Sequence, residues 1–421
     1  MFAATDLPLP SARAVPWTPA IVPPTFAIAG IPSAAVFRVL TRRGPLSRDE
    51  IAKATGLSSA TVNRQVSALL TGALVRERPE LVAHGAIGRP PVPVDVSHES
   101  YLTIGIHIGA LVTALVASDL RGRIIGAADI PTPRQIPDLA LARIAAGARA
   151  LAARWPQRVP LWVGVALGGS VDSGTGVVQH PRLAWTGAQV GPVLSRELVL
   201  PVSVSGHVEA MAAAELLLAR EQENREFQGS TLYFYARETA GMALSFDGQV
   251  RIPTAGSGTI AHFPTGSDAV CACGRTGCLE ATVADHAMLA RAHGEGILGR
   301  QAATIDELYQ AARQGSAAAR ELLARRAEAL GRTVAVLSDT FRPDRVILGG
   351  QAFTEYPEAI GRVAEAIKGS ASLSHQDIRI TGFGGRVQAH AASVVSLSAL
   401  YNDPLGALRQ LGGAPSLRLS R

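Results

Sequence analysis

The 421-residue sequence predicts a small helical module with a β-hairpin near its N-terminus, followed by a larger α/β part. Two observations support this division. Basic residues are concentrated within the first hundred positions, and from Tyr101 onward short apolar runs alternate with longer stretches rich in Ala and Leu. The alternation is typical of the strands and helices of an α/β fold, and the length fits two or three domains.

The net charge is distributed unevenly. The chain has 40 Lys and Arg against 34 Asp and Glu, a formal charge of +6. The 64 residues from Ser33 to Val96 contain nine basic and five acidic side chains, so four of the six charges (9 − 5 = +4) lie there. A basic module attached to a nearly neutral domain is typical of proteins that bind nucleic acid.

Residues 1–30 are rich in Pro and Ala, and we expect a flexible arm there. Prolines break up any leader-like apolar run, and the apolar segment from Val159 to Val171 is too short for a membrane span. The three cysteines are too few for a disulfide framework. These features predict a cytoplasmic protein.

The basic module, residues 31–97, has the spacing of a helix-turn-helix. The second helix should begin at a capping box, in which Ser47 and Glu50 bind each other's backbone N–H groups. The three predicted helices are Ala35–Thr41, Arg48–Thr55 and a third that begins at Ser58 or Ser59 and ends near Leu70.

Val62, Val66 and Leu69 share the apolar face of the third helix, so the opposite face is free to enter a DNA major groove. Two strands should follow, joined by a Gly-Arg-Pro tip whose Arg89 suits a narrow A·T-rich minor groove. This is the plan of a winged helix-turn-helix that binds double-stranded DNA; a helical module that mediates only protein contacts is the alternative. The strands are Leu74–Arg78 and Val92–Val96, and the candidate DNA contacts are Ser59, Thr61, Asn63, Arg64, Gln65 and Arg89.

All three cysteines lie close to one histidine. His262, Cys271, Cys273 and Cys278 offer one imidazole and three thiolates, which is a closed ligand set for structural zinc. The alternative is three buried free thiols that are clustered by chance. A closed set leaves no coordination position for water, so we expect a structural and not a catalytic metal.

The zinc loop, residues 262–280, resembles the signature of the ROK family (repressors, open reading frames, kinases). The signature is a histidine followed by Cys-x-Cys-Gly-x-x-Gly-Cys-x-Glu, and the last residue here is Glu280. Three further segments are similar to the family: Gly164–Val178, Trp185–Glu215 and Val346–Gly350. The resemblance implies that residues 98–421 form a two-lobed, actin-like (ribonuclease H-like) α/β domain with a cleft between its lobes. It also implies homodimers or homotetramers, which place two DNA-binding modules on a palindromic operator.

The kinases of this family require groups that this chain has replaced. Their Asp-x-Gly-Gly-Thr phosphate loop corresponds to residues 107–111, which begin with His107 and contain no carboxylate to help hold Mg²⁺. Their catalytic Asp corresponds to His207, their second phosphate loop contains Glu238 here, and their sugar-binding Glu corresponds to Thr259. These four losses predict that the chain has no catalytic residues and is not an enzyme.

The same comparison yields candidate effector-binding residues: His207, Thr259 and Glu280. Glu280 has a second interpretation, as a carboxylate that braces the zinc loop. We therefore predict a transcriptional regulator, a repressor, whose sugar or other small-molecule effector changes the spacing of its DNA-binding modules. The alternatives are a sugar kinase with an accessory DNA-binding domain and a DNA-binding oligomer that senses no effector.

Overall fold

The computed structural model describes residues 20–82, 91–219, 229–253, 259–299, 301, 304–370 and 377–411. Within these ranges the chain forms an N-terminal head and two α/β lobes. No helix of the described ranges is long and apolar enough to cross a membrane.

The head contains the three predicted helices and the two predicted strands. The capping box is present, since the Ser47 side chain accepts from the Glu50 N–H and the Glu50 carboxylate accepts from the Ser47 N–H at 2.7 Å. Ser58, and not Ser59, caps the third helix. The tip that carries Arg89 lies outside the described residues. The elements are α1 (Pro32–Arg43), α2 (Arg48–Thr55), α3 (Ser59–Thr71), β1 (Val75–Glu77) and β2 (Val94–Val96), with β1 and β2 antiparallel.

Lobe 1 is a five-stranded sheet with the strand order β10-β6-β3-β4-β5, and a small antiparallel sheet of β7, β8 and β9 lies at its edge. Its strands are β3 (Tyr101–Ile108), β4 (Val112–Ser118), β5 (Ile124–Pro131), β6 (Val159–Leu167), β7 (Ser170–Asp172), β8 (Val177–His180), β9 (Trp185–Ala188) and β10 (Val202–Gly206). Its helices are α4 (Pro137–Ala152), α5 (Val190–Leu198) and α6 (His207–Leu218).

Lobe 2 repeats this plan with the order β13-β12-β11-β14-β15, so that each sheet has an antiparallel half and a parallel half. Its strands are β11 (Ser230–Ala236), β12 (Ala240–Phe246), β13 (Gln249–Val250), β14 (Arg345–Gly349) and β15 (Asp377–Ile380). Its helices are α7 (Leu279–Val283), α8 (Asp285–Gly294), α9 (Ile305–Arg313), α10 (Ala317–Phe341), α11 (Gln351–Thr354) and α12 (Ile360–Ser370). The chain then returns to lobe 1 as α13 (Val387–Asn402) and ends its described part with α14 (Pro404–Leu411).

The elements stack in layers. Alternate residues of β3 and β6 pack against α4 and α5 on one side of the lobe 1 sheet and against α13 on the other. In lobe 2, Phe234 belongs to the core formed with α8, α9, α10 and α12, whereas Tyr233 and Tyr235 face α6 and α13. Helices α6 and α13 therefore lie between the two sheets, as expected for a two-lobed domain with a central cleft.

Helix α13 lies directly on the backbone of lobe 1. A Cβ on Gly105 would stand 2.7 Å from the backbone of Ala392, and one on Gly164 would stand 2.0 Å from the backbone N of Ser396. At this close contact a buried hydroxyl pair forms, with Ser396 Oγ donating to Thr103 Oγ1 at 2.8 Å. Glycines on the strands and small residues on the helix are thus a steric requirement of the packing.

The head is continuous with lobe 1. Its core residues belong to one hydrophobic cluster with Leu397 and Leu400 of α13, and Tyr401 lies edge-on to Phe37 with ring centroids 6.2 Å apart. Asp95 of β2 is 1% exposed and pairs with Arg121, in the turn between β4 and β5. The head is therefore docked on lobe 1 by both apolar and ionic contacts.

The contacts of residues 20–30 contradict the flexible arm that the sequence predicts. Val22 N–H donates to Val202 O at 2.9 Å on lobe 1, and Ile28 N–H donates to Gly248 O at 2.8 Å on lobe 2. Between these contacts Phe26 is 1% exposed. The segment is an interlobe strap that leads directly into α1, because its apolar residues fill the junction between the lobes and its backbone pairs with sheet edges. Residues 1–19 lie outside the described part of the chain.

The contact between α13 and the sheet generates a prediction. Gly164→Ala should destabilise the protein by about 1–3 kcal/mol, because the added methyl group overlaps a helix backbone that cannot move without displacing the head. Thermal unfolding followed by circular dichroism measures the effect. Gly361→Ala is the matched control, since a Cβ there meets nothing within 4 Å. An unchanged melting temperature for Gly164→Ala would show that α13 is not in tight contact with the sheet.

Candidate DNA-binding surface and interlobe cleft

The polar face of α3 is exposed, as expected. Val62, Val66 and Leu69 are fully buried. Along the polar face Ser59, Asn63 and Arg64 are exposed, and Thr61 and Gln65 are partly exposed. Ser58 accepts from the Thr61 N–H, so the first turn of α3 is already capped.

The acidic side chains of the head do not cancel the charge of this face. Glu77 pairs with Arg48 at 3.0 Å, and Asp95 is engaged by Arg78 and Arg121. In the described part of the chain, no acidic side chain forms an ion pair with Arg64. Arg64 on the exposed face of α3 is therefore available to pair with a phosphate group.

The four predicted metal ligands converge. The Nδ1 atom of His262 lies 3.7 Å from Sγ of Cys271, and the Sγ atoms of Cys273 and Cys278 are also 3.7 Å apart. All four ligand atoms lie within 4.8 Å of one another, so this cluster could hold a metal ion. Sulfur atoms that bind one tetrahedral zinc at about 2.3 Å are about 3.8 Å apart, which fits the observed spacing.

The local sequence explains why the ligands meet. Gly274 and Gly277 adopt positive φ angles of 85° and 78°, so the loop turns back twice within a few residues. A hydrogen bond from Arg275 lowers the pKa of Cys273 to about 6, which favours the thiolate that a metal requires. The loop borders the interlobe cleft, and both His262 and Cys271 line it.

The cleft between the lobes is a cavity of about 770 Å³. The three candidate effector-binding residues, His207, Thr259 and Glu280, all line it. The sequence did not indicate a fourth important residue, Arg182, which extends from lobe 1 across the mouth of the cleft. Its guanidinium lies 2.7 Å from Glu280 and 3.4 Å from Glu238, both on lobe 2.

Each candidate residue already has contacts within the protein. The Glu280 carboxylate accepts from Arg182 with one oxygen and from Thr239 Oγ1, at 2.6 Å, with the other. Thr259 donates to the Ala240 carbonyl at 3.1 Å. The side chain of Glu280 therefore joins the two lobes, and an effector that binds it must replace these partners.

The two loops that hold phosphate in kinases have other contacts here. In the first loop the Gly109 N–H donates to the Val112 carbonyl at 3.0 Å, and in the second Arg237 donates to Gln351 at 3.0 Å and Gln388 at 2.7 Å. The adjoining cavity, lined in part by Arg237 and Gln351, measures about 240 Å³. The Arg237 guanidinium is thus held by two side-chain amides at the edge of this cavity.

Comparison with known proteins agrees with this arrangement. The model of the ROK family matches residues 103–381, and that of a winged helix-turn-helix DNA-binding module matches residues 35–70. The chain is similar to transcriptional regulator Rv0485 of Mycobacterium tuberculosis, with 51% identity over 404 residues that cover 93% of this chain and 91% of the relative. It is also similar to the DNA-binding transcriptional dual regulator NagC of Escherichia coli, with 25% identity over 76% of this chain and 80% of the relative.

Solved structures show the same fold. A ROK family transcriptional regulator described as a homologue of the Escherichia coli Mlc protein superposes with a TM-score of 0.76 and 20% identity, covering 91% of this chain and 98% of its own. A ROK glucokinase from Streptomyces griseus, in complex with glucose and AMPPNP, superposes with a TM-score of 0.61 and 21% identity over 70% of this chain and 99% of its own. The predicted actin-like fold is thereby confirmed. The chain belongs to the ROK family, and its winged helix-turn-helix head makes it one of the family's DNA-binding transcriptional regulators.

Proposed function

We propose that this protein is a repressor that binds a palindromic operator as a homodimer or homotetramer and releases it when an effector enters the interlobe cleft. The observation that carries the proposal is the exposed polar face of α3 on a head that is docked against the domain containing the cleft. Ser59, Thr61, Asn63, Arg64 and Gln65 would contact the major groove, and Arg89 would enter the minor groove. A protein that binds chromosomal DNA would act in the cytoplasm.

Arg64→Ala should weaken operator binding by about 1–3 kcal/mol if the guanidinium contacts a base edge, and sequence preference should relax at that position. A phosphate contact would instead weaken binding to every sequence. The slope of log affinity against log salt concentration would then become shallower by about one. Fluorescence anisotropy at several salt concentrations separates the two cases. Arg362→Ala, an exposed arginine on α12 of lobe 2, is the control. Equal affinities of the wild type and Arg64→Ala for the operator would show that this face of α3 does not contact the DNA.

Arg89→Ala should weaken operator binding by about 1–3 kcal/mol, chiefly at A·T-rich flanks, because the side chain would lie in a narrow and strongly negative minor groove. Footprinting of the operator measures the loss at those flanks. A footprint that is the same with and without the side chain would show that the wing does not enter the minor groove.

We also propose that His262, Cys271, Cys273 and Cys278 bind one structural zinc ion. Three thiolates and an imidazole form a set that selects zinc over the hard cations Mg²⁺ and Ca²⁺. When bound, the ion would connect His262 to the three cysteines of the loop. Because the same loop contributes to the cleft wall, zinc would hold that wall in shape without taking part in a reaction.

Elemental analysis should find about one zinc per chain, and Cys273→Ser should lose it because a hydroxyl group is a poor replacement for a thiolate ligand. His286→Gln, which changes a histidine of the same lobe outside the cluster, should keep the metal. Circular dichroism of both variants distinguishes loss of the ion from loss of the fold. Full retention of zinc by a folded Cys273→Ser variant would show that Cys273 is not a ligand.

His107 and His207 take the places of the Mg²⁺-binding and base carboxylates, and the Arg237 guanidinium lies at the second phosphate loop. We therefore propose that the protein is not a kinase and that the cleft only binds a ligand. Another relative, from Escherichia coli O6:H1, is named an N-acetylglucosamine repressor, and we propose a sugar or another small metabolite as the effector class of this chain.

The protein should not transfer phosphate from ATP to any hexose or N-acetylhexosamine, since the residue that would help hold Mg²⁺ beside the reacting oxygen is His107 and not a carboxylate. A coupled assay of ADP release with a panel of sugars is the measurement, with a ROK glucokinase as the positive control. Sugar-dependent ADP release by the purified protein would contradict the proposal.

A thermal-shift screen with a metabolite library tests the sensor function separately, and a flat response would favour an oligomer that senses no effector.

A further inference from the structure

The last described helix, α14, packs against the head, although most of the α/β domain separates the two in the sequence. Asp403 joins it to α13. The Asp403 N–H donates to the Ala399 carbonyl at 2.9 Å, and the Asp403 carboxylate accepts from the Gly406 N–H at 2.9 Å. One residue thus ends α13 and begins α14, and Pro404 suits the first position of the new helix. This turn places α14 against α1 and α3.

The apolar face of α14 completes the core of the head. Ala407 and Leu411 are each 3% exposed, and Leu408 is partly buried. All three belong to, or pack against, the hydrophobic cluster that contains Leu69 of α3. In space, therefore, α14 is part of the head.

Leu408 meets α3 at the end of that helix. Gly72 caps the C-terminus of α3, and its N–H donates to the Ala68 carbonyl at 3.0 Å. A Cβ on Gly72 would stand 2.2 Å from Cδ1 of Leu408. The Leu408 side chain thus fills the space that a side chain at position 72 would need.

The backbone itself does not require glycine at position 72. Gly72 has a φ of −78°, which any residue adopts, whereas the next residue, Ala73, has a left-handed φ of 54°. Helices that end in this way commonly have glycine at the left-handed position, where a Cβ is strained. Here alanine takes the strained position and glycine stands one residue earlier. The contact with Leu408, and not the conformation of the helix end, therefore accounts for the glycine.

The other end of α3 carries the candidate DNA contacts, from Ser59 to Gln65. With 13 residues and a rise of about 1.5 Å per residue, α3 is a rod about 20 Å long. A displacement of its C-terminal end therefore tilts its polar face. Hydrogen bonds to base edges depend on the direction of donor and acceptor, whereas the attraction between a side-chain charge and a phosphate depends on it much less.

We propose that α14 is a positioning element for DNA recognition. Leu408 fixes the C-terminal end of α3 and, through it, the angle at which the polar face of α3 enters the major groove. In this role α14 acts without touching the DNA. The inference rests on the proposed placement of α3 in the major groove, and it adds that the sequence specificity of the head depends on a helix that follows the α/β domain.

The test uses the 421-residue chain and two duplexes of equal length. One duplex is selected by the wild-type protein from a random-sequence pool, and the other is a scrambled version of it. Leu408→Ala should weaken binding to the selected duplex about tenfold and change binding to the scrambled duplex less than about twofold, because base contacts are lost while phosphate contacts remain. Partial unfolding would lower both affinities by the same factor, so the ratio of the two affinities reports the orientation of α3. Leu139→Ala, which shortens an exposed leucine of α4, is the control and should change neither affinity.

A second set of variants tests the contact itself. Gly72→Ala should also lower the affinity ratio, because the added methyl group overlaps Leu408. Combining Gly72→Ala with Leu408→Ala should restore part of the ratio, because the shortened side chain leaves room for the methyl group. Such non-additivity is typical of residues in contact. Losses that simply multiply in the double variant would show that the two positions act independently, which would overturn the proposal.

Arg409→Ala tests whether α14 touches the DNA. The Arg409 side chain is 74% exposed, and a pure positioning role of α14 predicts no change in either affinity. Weaker binding of Arg409→Ala to both duplexes, with a shallower salt dependence, would make α14 a phosphate contact and overturn the proposal. A Leu408→Ala variant that discriminates between the duplexes as well as the wild type would overturn it too. A wild-type protein that selects no duplex from the pool would instead contradict the proposed operator binding, on which the inference rests.

Discussion

The contact between α13 and the lobe 1 sheet is the constraint on which the rest of the structure depends. Helix and sheet approach so closely that Gly105 and Gly164 have no room for a side chain. One end of the helix contributes Gln388 to the cleft, and the other end contributes Leu397, Leu400 and the Tyr401 ring to the contact with the head. Because a tightly packed interface deforms very little, we expect the head, α13 and lobe 1 to move together.

Lobe 2 is joined to this unit by an apolar cluster between its sheet and helices α6 and α13, and by polar contacts at the cleft. Arg182 links the lobes through Glu238 and Glu280, and the interlobe strap pairs with one sheet edge on each lobe. Ionic contacts at a cleft can exchange partners with a ligand at small net free energy, whereas a buried glycine–helix contact cannot. A ligand in the cleft would therefore compete with the Arg182–Glu280 contact between the lobes.

Features encoded over short stretches of sequence could be predicted. The Ser47–Glu50 capping box sets the start of α2, and the close spacing of three cysteines and one histidine is enough to identify the cluster that could hold a metal ion. Contacts between distant residues could not be predicted in this way. Arg182 and Glu280 are 98 positions apart, and no local pattern connects them. The contacts of the strap could not be predicted for a related reason: its proline content suggests flexibility, but the burial of Phe26 depends on a junction that two lobes create together.

The rigid attachment of the head has a consequence for the DNA that the protein can recognise. A module on a flexible tether can follow a half-site that is displaced along the duplex, but a module fixed by the Asp95–Arg121 pair and by Phe37 cannot. Each inserted base pair moves a half-site by about 3.4 Å and rotates it by about 35° around the helix axis. In the proposed oligomer, with its subunits held in a fixed arrangement, the spacing between half-sites would then be as strictly specified as their sequence.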